Sequence, residues 1–147
     1  MREVDYEVIT NASQIGEPPA MRRELVVLPE LKNRNGKASA FYEYELSTGE
    51  HGEFDISDRV FDEFGQVTRV KRGGRDVRFL AYTTRDGDGN RIFHTLDQAE
   101  ATLNRWGKSI TNKMLQAANK ANYGEDTSAE EAAKSAEGNS EETQTSN

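Results

Sequence analysis

The chain is 147 residues long and 34% hydrophobic, with a mean hydropathy of −0.88, a formal net charge of −7 and no cysteine. That length holds one modest domain, the hydropathy limits it to a small core, and the missing thiol excludes disulfides, thiolate metal sites and a cysteine nucleophile. No window approaches the roughly 20 apolar residues of a membrane-spanning helix, and the charged opening MREVDYEVITNASQIGEPPA does not read as a secretory leader, so the expected setting is a cytoplasm.

In chain order, residues 1–20 lack a sustained apolar face and read as a flexible arm. Residues 21–123 are expected to form a single α+β domain, opening on a small antiparallel sheet and continuing into several helices. RELVVLPE is a short apolar strand, and KASAFYEYELS alternates, with Ala38, Ala40, Tyr42, Tyr44 and Leu46 on one face and Ser39, Phe41, Glu43 and Glu45 on the other. Asn35-Gly36 between them tolerates positive φ and predicts a hairpin. STGEHGEF reads as a second turn. ISDRVFDEFG then places Ile56, Val60, Phe61 and Phe64 at helical spacing, with Ser57 as N-cap and Gly65 as stop.

The basic run RVKRGGR, Arg69 to Arg75, reads as a solvated, glycine-hinged loop, because no aromatic residue interleaves to stack a base. Residues 75–84, RDVRFLAYTT, fit a helical stripe through Val77, Leu80, Ala81 and Thr84, and also a strand alternation through Val77, Phe79 and Ala81; the helix is favoured. In TTRDGDGNRIF, an EF-hand loop starting at Asp86 would need glycine at its sixth position and a bidentate glutamate at its twelfth. Arg91 and Asp97 stand there, so the stretch predicts a glycine-rich turn whose Asp and Asn side chains bond their own backbone.

Leu96, Ala99, Leu103, Trp106, Ile110, Met114, Ala117 and Ala121 follow at intervals of three or four and predict C-terminal amphipathic helices. Thr95 with Gln98 makes a capping-box start, and Gly107 invites a break after which Ser109 could cap a second helix. Residues 124–147 contain seven acidic residues and one lysine but no Phe, Leu, Ile, Val, Trp, Tyr or Met, and read as a disordered acidic tail; they leave residues 1–123 a net −1.

A nearly neutral body offers little attraction to phosphate backbones, so nucleic acid is not an expected partner. Chemistry is scarce as well. His51 and His94 are the only near-neutral bases. No P-loop, Gly-x-Ser-x-Gly or His-Glu-x-x-His occurs, and the sequence predicts neither an enzyme, nor a cofactor, nor a metal site.

The succession RRELVVLPE, an Asn-Gly turn, YELSTGE, a basic Arg/Gly segment, RFLAYTTRDGDGNRIF, two helices and an acidic end with GNSEETQ resembles the tail assembly chaperones of long-tailed, siphovirus-type bacteriophages. The residues carrying the resemblance are Leu28 to Glu30, Asn35 and Gly36, Asp86 to Phe93, Leu96 to Ala121 and Gly138 to Gln144, and it spans roughly residues 22–147. HGEFDISDRVFDEFGQVTRVKRGG is less like the family than its flanks.

The resemblance implies a protein of the host cytoplasm that binds and solubilises the tape measure protein and hands it to tail tube subunits, then leaves before the virion matures. It also implies a short product whose gene makes a longer, frameshifted one that recruits tube protein. The stripe Leu103, Trp106, Ile110, Met114 and Ala117 is the expected partner-binding face, through helix-in-groove contacts with the client and, where the protein forms homo-oligomers, through self-association. The alternative is a structural tail or head-completion protein retained in the particle.

Overall fold

The computed structural model describes residues 4–124, and the acidic segment beyond Gly124 lies outside it. Residues 4–22 run exposed along the surface with a single 3-10 turn, Ala12–Gln14, capped by the Asn11 side chain. The first regular element is β1, Arg23–Lys32, which returns through a turn at Asn33 into β2, Ala38–Tyr44. The two pair antiparallel, with Val26 opposite Phe41, Val27 opposite Ala40 and Leu28 opposite Ser39.

Next comes α1, Thr48–Asp55, on the stretch that sequence reading gave to a turn. Its start is a reciprocal capping box: Ser47 Oγ accepts from the Glu50 N–H at 3.1 Å, and the Ser47 N–H donates to Glu50 Oε1 at 3.0 Å. The helix expected over Ile56 to Phe64 does not form. Its residues enter a small hairpin, β3 (Arg59–Phe61) and β4 (Val67–Val70), which turns at Asp62 and Gly65. The physical reason is that the Ile56, Phe61 and Phe64 stripe has no surface to pack on, Phe64 being 80% exposed, while Asp62 Oδ1 accepts the N–H groups of Phe64 and Gln66 and stabilises the reversal.

Residues 75–84 resolve as the favoured helix: α2 spans Arg75–Thr83 and buries Arg78 through Thr83 in succession. It passes directly into β5, Thr84–Arg85, which pairs antiparallel with β2 and gives the strand order β1-β2-β5. The C-terminal stripe forms α3, Leu96–Leu103, and α4, Lys108–Tyr123. Thr95 caps α3 by accepting from the Gln98 N–H at 3.0 Å. The N-cap of α4 is Gly107, so Ser109 falls inside the first turn and not at the cap.

This is an α+β architecture. The inner face of β1–β2 is covered by α4, with α2 beside it, and the core is built from Val26 and Leu28 of the sheet, Phe54 of α1, Phe79 to Tyr82 of α2, Phe93, and Ala99, Leu103, Met114 and Ala118 of the last two helices. Asn122 closes the far end of α4 on the sheet. Its Nδ2 donates to the Tyr44 carbonyl at 3.1 Å and its Oδ1 accepts from the Leu46 N–H at 2.8 Å.

Candidate functional site

The five residues expected to face a partner lie on the side of α3 and α4 that turns toward the sheet. Leu103 and Met114 are 1% and 0% exposed and belong to the core. Trp106, Ile110 and Ala117 are half-buried at its margin, with the Trp106 ring stacked on Phe41 of β2 at 6.4 Å between centroids. Leu103 and Trp106 also border a cleft of about 220 Å³ between α2 and α4, with Val77, Leu80 and Leu115 among its other lining residues, while Ile110 and Ala117 lie outside that lining. A long helical client would find little continuous apolar surface there.

Exposed apolar side chains lie on the β3–β4 hairpin, at Phe61, Phe64, Val67 and Val70, and on the other side of the larger sheet. Because side chains alternate along a strand, turning Val26 and Leu28 inward turns Leu25 and Val27 outward, where they are 56% and 50% exposed. Leu25 stands opposite Tyr42 and Val27 opposite Ala40, so the outer face of β1–β2 is apolar across both strands, with the Arg23 guanidinium 4.2 Å from the centroid of the Tyr42 ring at one end. Among the described residues the loop of residues 86–90 lies against the Tyr42 end of this face, where Gly87 approaches the ring, while Leu25, Val27 and Ala40 stay exposed. The sequence carried a signal of this surface: Leu25-Val26-Val27-Leu28 is apolar at four consecutive positions, as in strands buried on both faces.

Between β2 and β5 lies a buried polar group. Glu43 is fully buried; Thr83 Oγ1 donates to its Oε1 at 2.7 Å, and Thr84 Oγ1 lies 2.8 Å from its Oε2. Burial pushes the Glu43 carboxyl up to about 8, against the smaller downward pull of the two threonine hydroxyls and Arg85. Nearby, Arg85 and Arg91 both reach Glu50 Oε2, at 2.9 and 3.3 Å. Burial pulls the Glu50 carboxyl upward, but the Ser47 N–H and the two guanidiniums outweigh it and hold it below the usual range.

His51 Nε2 is 3.2 Å from Asn122 Oδ1, and its ring packs between Phe79 and Tyr123. His94 is exposed, and its backbone N–H donates to Gln98 Oε1. Among the described residues neither imidazole hydrogen bonds a hydroxyl or a carboxylate.

In the loop of residues 86–90, Asp86 Oδ1 accepts the N–H groups of Asp88 and Asn90, both at 2.9 Å. These bonds hold the Asp86 carboxyl below its usual range. Asp86 Oδ1 is thus engaged by its own turn, the side-chain-to-backbone bonding that the sequence predicts for this aspartate. The basic run lies across the end of β4 and the start of α2, around consecutive left-handed glycines at 73 and 74.

The chain matches no family model, no curated protein and no solved structure. Among the described residues, no helix is long and apolar enough to cross a membrane.

Proposed function

We propose that this protein is a tail assembly chaperone of a long-tailed bacteriophage. It binds and solubilises the tape measure protein in the host cytoplasm, helps recruit tail tube subunits, and departs before the virion is complete. The order of sequence elements that resembles that family supports the reading, and the structural observation that carries it is the exposed apolar part of the outer face of β1–β2, around Leu25, Val27 and Ala40. The client surface is this sheet face, where Leu25, Val27, Ala40 and Tyr42 sit together, and not the inner stripe around Met114. Such a face offers apolar cover to a hydrophobic helix without opening the body of the chaperone. Several copies, each bound weakly along one long client, could hold it and still leave.

Co-expression with tape measure fragments tests the proposal. Burying one large apolar side chain contributes about 1.5–3 kcal/mol, so a charge placed at its centre should weaken a modest complex by about tenfold or more. Val27→Glu and Leu25→Glu are therefore expected to keep their circular dichroism and Tm while losing co-purification, whereas Met114→Glu should lose the fold. A folded Val27→Glu that still co-purifies would overturn the client face. Stoichiometric recovery of the protein from purified virions would replace the chaperone by a structural particle component.

A further inference from the structure

We propose that the cleft between the β4–α2 loop and α3 binds a small phosphate or diphosphate ester. The cleft is about 560 Å³, within the roughly 300–1,000 Å³ of small-molecule sites, and is lined by Arg69, Lys71, Arg72, Gly73, Gly74 and Arg78 from one side and by Glu100 and Asn104 of α3 and its C-cap from the other. Four cations thus face one carboxylate, and that carboxylate, Glu100, is 3.9 Å from Lys71 Nζ and leaves the rest uncompensated.

The observation that singles out an anion is Arg78. It is only 5% exposed, yet no carboxylate lies within ion-pair distance among the described residues. Nη1 donates to the Gly73 carbonyl at 2.7 Å, while Nε has no hydrogen-bond partner. A guanidinium taken out of water without a counter-charge is destabilising, and an anion in the cleft it lines would offset that cost.

The backbone adds donors at the same place. Gly73 and Gly74 both adopt left-handed φ, 75° and 71°, and Gly74 is the N-cap of the nine-residue α2 with no side chain capping it. No side chain at the cap takes up the first-turn N–H groups, and the helix starts at the two glycines that line the cleft. A Cβ on Gly74 would sit 3.2 Å from Arg78 Nη1, so glycine keeps the guanidinium close to the helix start. Asp76, the acidic residue of that first turn, lines the separate cleft with Trp106. No aromatic ring lines the basic cleft, so a nucleobase would have nothing to stack on, and the recognised group is the phosphate itself.

Calorimetric titration of the full chain with inorganic pyrophosphate at constant ionic strength provides the test. Saturable one-to-one binding is expected. Lys71→Ala and Arg72→Ala, at partly or fully exposed positions, should each weaken it about tenfold with Tm unchanged, while Lys37→Ala, on a remote turn, should leave it unaltered. Gly74→Ala should weaken binding as well, and phosphate should stabilise the wild type against heat more than sulfate does. Absence of saturable binding would overturn the site, as would losses of equal size for Lys37→Ala and Arg72→Ala, which would mean charge attraction alone. An oligothymidylate that competes with pyrophosphate far more tightly, and with the same variant sensitivity, would overturn the small-ester assignment in favour of a nucleic-acid backbone.

Discussion

Glu43 is the residue whose chemistry departs furthest from what its position in the sequence suggests. Alternation along KASAFYEYELS sets the aromatic Tyr42 and Tyr44 on one face and Glu43 on the other, and the core takes the face with the acid because Phe41 shares it and must meet Trp106. The cost is a carboxyl shut away from water, held by Thr83 and Thr84 and titrating at about 8 instead of 4.5. Between those pH values the unfolded chain has released a proton that the folded chain retains. The stability owed to the neutral carboxyl is thus complete below pH 4.5 and is lost as the pH rises through about 8. The slope from this group is at most about 1.4 kcal/mol per pH unit. Glu43→Gln keeps a neutral group of the same shape and removes the titration, so the variant should match the wild type near pH 4.5 and exceed it at pH 8, as read from urea midpoints across that range. A wild-type decline no steeper than that of the variant would mean that Glu43 is ionised in the fold.

At the scale of elements, the hairpins repeat one device three times. Asn33, Asp62 and Asp86 each open a loop in which the side-chain Oδ1 accepts the N–H groups two and four residues on. The glycine three residues on, at 36, 65 and 89, takes positive φ and returns an N–H to the opening carbonyl. Asn33 does with an amide what Asp86 does with a carboxylate, so the acid at 86 needs no cation to justify it. Asp86→Asn is accordingly expected to leave the Tm unchanged and calcium addition to shift neither form, whereas Gly89→Ala, forced into the left-handed region, should cost about 1–2 kcal/mol. The sequence carries this device as Asx-x-x-Gly in all three loops, although two of the turns are legible already from Asn35-Gly36 and from the glycines of RDGDGN. In DEFG the same signal competed with a helical spacing through Ile56, Val60 and Phe61, and spacing alone says nothing of whether a surface exists to receive the stripe. For α1 the converse held: TGEHGEFD has two glycines and a weak apolar pattern, but Ser47 and Glu50 were the readable start signal.

Across the whole molecule, stability is concentrated where α2 and α4 meet the inner face of β1–β2, and the C-terminal periodicity was a faithful guide to that core. What periodicity could not reveal is which apolar residues remain outside it, because Leu25 and Met114 look alike until the sheet has chosen its covered face. The β3–β4 hairpin stands apart from this core. It is two-stranded and does not join the larger sheet, none of its residues is buried, and such a pair is marginal alone in water. Its amide protons are therefore expected to exchange through local opening, nearly independent of low denaturant, while those of Val26, Leu28 and Tyr82 should exchange only when the whole domain unfolds. Leu80→Ala separates the two modes. Leu80 is fully buried, and its truncation should cost about 2–5 kcal/mol of a total that for a small domain is about 5–15. Core amides should then exchange roughly 30- to 5,000-fold faster, while the β3–β4 amides keep their wild-type rates. If hairpin amides accelerate in step with the core, the hairpin is a cooperative part of the domain, and its exposed Phe61, Phe64, Val67 and Val70 must owe their stability to the same packing that holds α2 and α4 on the sheet.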